Sequence, residues 1–131
     1  MSARHYALRV LMTGDAVGGV WSYALELARS LGPRDVEVCL ATMGPLPSAE
    51  QRRDAAAIPN LHLVTSDYAL EWMDEPWEDV DSAGGWLRVL EERIGADVVH
   101  LNGYAHAALP FRAPVVVVAH SCVCSRPRGR A

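Results

Sequence analysis

The chain has 131 residues, half of them hydrophobic and 21% charged, a composition that excludes disorder and fits one packed domain large enough to need no stapling disulfide or metal. Its net charge of −4 combines a basic end (Arg126, Arg128, Arg130) with a body of 16 acids against 9 arginines, which leaves no basic stripe for nucleic acid. No apolar run approaches the roughly 20 residues of a membrane span and the N-terminus lacks a signal-type apolar region, so the expectation is a soluble cytoplasmic protein.

In chain order, a β-prone run at Ala7 to Thr13 is followed by Val20, Ala24, Leu27, Ala28 and Leu31 at helical spacing. Gly32-Pro33 supplies a stop. A second apolar run, Val36 to Thr42, leads to Ser48 and Gln51, spaced as a capping box before a helix over Arg52 to Ala57. Pro59-Asn60 then turns the chain into a third strand, Leu61 to Thr65. Val80, Ala83, Leu87, Leu90 and Ile94 mark a third helix from about 80 to 94, weakened by Gly84-Gly85. Two short strands follow, Val98 to Leu101 and Val115 to Ala119. Near-continuous apolar strands alternating with amphipathic helices predict an α/β, Rossmann-like doubly wound parallel sheet. Ligands in such folds bind beyond the carboxyl ends of the strands, which directs attention to the loops there.

The first such loop is Thr13-Gly14-Asp15-Ala16-Val17-Gly18-Gly19-Val20-Trp21. Glycines opening a helix let an anion approach the free N–H groups of its first turn. Gly14 and Gly19 have P-loop spacing, but Val20-Trp21 stand where Lys and Ser/Thr belong, and Ala16 breaks the dinucleotide fingerprint. A phosphate contact and a tight turn that merely needs Gly both remain open, and Asp15 reads either as a hydrogen-bond partner of a sugar or as decoration of the turn. The second set comprises His100, Asn102, His106 and His120 at the ends of strands four and five. A His there can bond a sugar hydroxyl or act as a base; the alternatives are a structural role for His100 and a solvent-facing His106. His62 reads as a surface position of strand three. The third is the acidic stretch from Asp67 to Asp81, which holds all the excess negative charge together with Trp72 and Trp77. Trp72 could stack on a sugar ring, or the stretch could serve only to favour the start of the next helix. Cys39 reads as core, and Cys122 and Cys124 lack the second Cys/His pair of a zinc site. No metal is expected.

Arg9-Val10-Leu11-Met12-Thr13 running into Gly18-Gly19-Val20-Trp21, then Asp97-Val98-Val99-His100-Leu101-Asn102, then Val118-Ala119-His120-Ser121, resembles the N-terminal domain of glycosyltransferase family 4, retaining enzymes of the GT-B fold. The resemblance covers most of residues 7 to 123. It implies two Rossmann-like domains facing across a cleft, and a hexosyl-type transfer from a nucleotide-sugar donor to a sugar or other hydroxyl acceptor. No cofactor is implied, since the nucleotide-sugar is a substrate. Carried over by position, Gly18 and Gly19 approach the donor phosphates and His120 contacts the donor sugar as the catalytic residue. Asp15, Asn102, His106 and Trp72 are the remaining candidates for sugar or acceptor contact. Asn102 stands where the family often has the second His of a His-x-His pattern.

The family also implies a C-terminal domain with two glutamates eight residues apart, and that pair is not in this sequence. The expected organisation is therefore an N-terminal, acceptor-side domain over residues 1–123 and a basic, disordered tail over 124–131, consistent with a truncated or frame-shifted end. The missing domain would act in cis or in trans, and the chain alone would be inactive. Two other classes stay open: a free-standing nucleotide or phospholigand-binding module, and a non-catalytic α/β domain binding a partner through Tyr68 to Trp77.

Overall fold

A computed structural model describes residues 6–68 and 77–120. Its elements are β1 (Leu8–Asp15), α1 (Gly19–Leu31), β2 (Val36–Met43), α2 (Ala49–Ala56), β3 (Leu61–Thr65), α3 (Trp77–Ile94), β4 (Val98–Leu101) and β5 (Val115–Val117). The five strands form one parallel sheet in the order β3-β2-β1-β4-β5. The chain therefore moves outward from β1 in one direction, returns through α3, and continues outward in the other. This reversal beside β1 creates the crevice in which doubly wound folds bind ligands.

Strand alternation divides the core into two layers. Val10, Met12, Val38 and Leu40 face α1 and α2, packing against Trp21, Ala24, Leu25, Ala28 and Ala55. Leu11, Cys39 and Ala41 face the other way, onto Leu87 and Leu90 of α3. The near-continuous hydrophobic strands are explained by this double coverage.

Local chemistry sets the element ends. Ser48 and Gln51 form the capping box expected of them, with Ser48 Oγ accepting from the Gln51 N–H and Gln51 Oε1 accepting from the Ser48 N–H. α1 ends at Leu31, where Gly32-Pro33 predicts its stop. Gly32 stays right-handed and opens a single 3₁₀ turn, Gly32–Arg34, and the left-handed residue is Asp35 at φ 65°. Its backbone carbonyl accepts from the Ala7 N–H, so the turn is tied to the start of β1. Asn60 closes this corner from within: buried, it donates through Nδ2 to the carbonyls of Ala28 and Val36. α3 begins three residues before Val80, with Glu78 and Asp79 in its first turn, where carboxylates favour the positive helix end. Its other end is held by Arg9, whose guanidinium donates to the Ile94 carbonyl.

Candidate functional site

The β1-to-α1 turn lies at the carboxyl edge of the sheet. Gly18 is the N-cap of α1 with φ 70° and ψ −152°, a backbone that a side chain rarely tolerates. No side chain caps α1 and no acid occupies its first turn. The leading N–H groups of the helix thus receive no side-chain oxygen from the described residues, the condition under which a helix start accepts an external anion. The turn itself is braced on both sides. Asp15 Oδ1 accepts from the Val17 N–H at 2.8 Å, and Gln51 Nε2 donates to the Ala16 carbonyl at 2.9 Å. Gln51 therefore serves two structures at once, the start of α2 and the glycine turn.

Beside this turn the ends of β1, β4 and β5 converge on Asn102. Its backbone N–H donates to Thr13 Oγ1 at 3.0 Å and its Nδ2 donates to the Thr13 carbonyl at 2.7 Å. Its Oδ1 lies 3.1 Å from His100 Nε2 and 2.6 Å from His120 Nε2. Tyr23, one turn into α1, sets its ring edge-on to His120 with centroids 4.4 Å apart and tilted to His100 at 6.1 Å. Burial lowers the pKa of His100 from its usual 6.5, opposed by the hydrogen bond to Asn102 and reinforced by the nearby His120. Burial likewise raises the Asp15 carboxyl above 3.8, while the Val17 N–H and His120 pull it down.

Of the residues singled out from sequence, Gly18, Gly19, Asp15, Asn102 and His120 thus sit around one end of the sheet. His106 does not join them. It is buried, and its Nε2 donates to the Val80 carbonyl at 2.8 Å, fastening the loop after β4 onto α3. The expected ligand contact or solvent-facing position is replaced by a packing role. His100 is half-buried and bonded, which matches its structural alternative. His62 is exposed and pairs with Glu37 at 2.6 Å, the surface role read for it. Trp72, Cys122, Cys124 and the basic tail lie outside the described residues. Among the described residues no group of three His, Cys, Asp or Glu is placed to hold a metal ion. No helix among them is long and apolar enough to cross a membrane.

Sequence reasoning missed Thr13, Tyr23 and Gln51. The signal for Tyr23 was its place in α1, one helical turn after Gly19, where a polar-tipped aromatic can meet the adjacent strand ends. Gln51 was recognised only as a cap, because its second bond crosses 35 residues of sequence.

Several solved structures share this architecture. The kitacinnamycin glycotransferase matches with a TM-score of 0.61 at 18% identity over 87% of this chain and 30% of that one. Acinetobacter baumannii MurG matches at 0.60 and 17% identity over 84% of this chain and 34% of that one. The C-terminal domain of a hydrogenase from Pyrococcus furiosus matches at 0.59 and 13% identity over 90% of this chain and 96% of that one. At such identities the likeness is one of fold, and the chain spans about a third of the length of the two transferases. No curated protein sequence matches the chain. The sequence does match the family description Glycosyltransferase Family 4 over residues 17–130, and with the parallel half-domain and its edge cluster in place, the chain belongs to that family.

Proposed function

We propose that the chain is the N-terminal half of a transferase that moves a sugar from a nucleotide-sugar to a hydroxyl acceptor with retention of configuration. The observation that carries this reading is the uncapped start of α1 at Gly18, next to the cluster of Asp15, Asn102, His100 and His120. Departure of a nucleoside diphosphate concentrates negative charge on its phosphate oxygens. N–H groups already aimed outward from Gly19 onward would stabilise that charge without reorganising, which is where electrostatic catalysis gains most. As the phosphate leaves, positive charge grows on the sugar. His120 is assigned to a donor-sugar hydroxyl, and Asp15 supplies a carboxyl at the same end. The acceptor oxygen forms the new bond to the anomeric carbon as the bond to phosphate breaks, and the acceptor proton passes to the departing phosphate. No protein nucleophile is required.

In this reading a second domain, in cis or in trans, holds most of the nucleotide, so the chain alone turns over no donor. The nucleotide-sugar is a substrate and no resident cofactor is invoked. The odd cysteine count fits a reducing compartment, and we place the protein in the cytoplasm.

Titration of the isotope-labelled chain with inorganic phosphate, nucleoside diphosphates and nucleotide-sugars tests the site. The Gly18 and Gly19 amide resonances are expected to move with the nucleoside diphosphates and nucleotide-sugars. A response to inorganic phosphate of equal strength would favour a free-standing phospholigand module, and no response to any would refute the phosphate site. Turnover of a nucleotide-sugar by the purified chain would overturn its inactivity in isolation.

A further inference from the structure

The hydrogen-bond chemistry of Asn102 fixes more than its own position. A backbone carbonyl only accepts, so the atom of Asn102 lying 2.7 Å from the Thr13 carbonyl must be the amide nitrogen. The other atom is then the carbonyl oxygen, which also only accepts. Two imidazole nitrogens lie within hydrogen-bond distance of it, Nε2 of His100 at 3.1 Å and Nε2 of His120 at 2.6 Å. Both bonds form only if both Nε2 atoms carry hydrogen. In a neutral imidazole the remaining nitrogen, Nδ1, is then unprotonated. Thr13 reinforces the arrangement by accepting the Asn102 backbone N–H at its hydroxyl, so the side chain is pinned from two directions.

We propose that Asn102 is a positioning residue that holds His100 and His120 as Nε2–H tautomers, leaving Nδ1 of His120 as a hydrogen-bond acceptor for a donor-sugar hydroxyl. The sugar contact rests on the transferase reading above; the tautomer assignment rests on the hydrogen bonds alone. Asn102 is thereby reassigned from a ligand contact to a residue acting through His120. The chemistry also explains why an amide serves at this position. A second imidazole there would offer a single polar atom towards each side and could not both donate to Thr13 and accept from two neighbours. Tyr23 on α1 meets both rings.

Long-range ¹H–¹⁵N correlation spectra of the histidine side chains in the full chain, recorded where both rings are neutral, read the tautomers directly. Both rings are expected as Nε2–H. In Asn102→Leu, which keeps bulk but removes the acceptor, His120 is expected to lose that preference and populate both tautomers. An Nδ1–H form of His120 in the unsubstituted chain would overturn the proposal, as would an unchanged tautomer in the variant. Should the variant fail to fold, the unsubstituted chain alone decides. Correct tautomers without any nucleotide-sugar response at Gly18 and Gly19 would retain the tautomer assignment while removing the transferase reading, so the two failures are distinguishable.

Discussion

Asn60 illustrates how one buried polar side chain can join three elements. Its side-chain amide donates to carbonyls at the end of α1 and the start of β2, and its backbone carbonyl accepts from the Val38 N–H. Asn60→Ala removes both buried side-chain hydrogen bonds and is expected to cost about 2 kcal/mol, read as a lower urea midpoint with unchanged slope. A second residue-scale expectation concerns His100, whose pKa is lowered in the folded chain. Below its ordinary value of 6.5 the unfolded chain takes up a proton there before the folded chain does. The stabilisation from His100 is therefore complete above pH 6.5 and lost as pH falls towards the folded value. Asp15 acts oppositely and in a more acid range: its raised pKa favours the folded chain on acidification, and that contribution is lost as pH rises through the folded value. Urea midpoints measured between pH 7.5 and 5.5 should fall on acidification less steeply in His100→Gln than in the unsubstituted chain. An identical slope would remove His100 as the cause.

At the scale of elements, α3 carries adjacent glycines with different jobs. A Cβ on Gly84 would lie 3.0 Å from Leu109 Cδ1 and 3.4 Å from the His106 ring, whereas one on Gly85 would meet nothing within 4 Å. Gly84 is the place where the loop after β4 presses against the helix. Gly85→Ala is accordingly expected to stabilise by about 1 kcal/mol, the ordinary helix-propensity gain, and Gly84→Ala by less. Thermal melts of both variants compare them, and equal shifts would mean that the loop does not press on α3. Helices and strands were legible in the sequence because their signals are local. Hydrophobic spacing located β3 and β4 to the residue, and the Ser48/Gln51 pair located the start of α2. The end of α1 was legible from Gly32-Pro33, whereas the left-handed residue Asp35 was not, because its tie to Ala7, 28 residues away, is not local. The start of α3 was placed late because Trp77 and its acidic neighbours carry no apolar periodicity.

For the whole molecule, the parallel sheet and its two helical layers follow from alternating elements and right-handed crossovers, so the fold class was readable, whereas the strand order β3-β2-β1-β4-β5 was not. The site was readable only in part. Its residues were named individually, but their division into ligand-facing and supporting roles depends on contacts across the sheet. His106 takes a packing role for that reason, since it bonds the carbonyl of Val80, 26 residues earlier, and Asn102 likewise bonds a threonine 89 residues earlier. Such partners leave no local mark.

The central position of β1 also bears on the order in which the sheet closes. Its pairing with β2 joins residues 28 apart, Leu8 with Val36, whereas its pairing with β4 joins residues 88 apart, Val10 with Val98. Loop-closure entropy makes the longer link costlier by about 1 kcal/mol. On synthesis, β1, β2 and β3 with α1 and α2 can assemble while the other flank of β1 still waits for its neighbour. The chain can therefore gather its glycine turn early and its histidine pair last, because Asn102 and His120 arrive only after that second flank has been made.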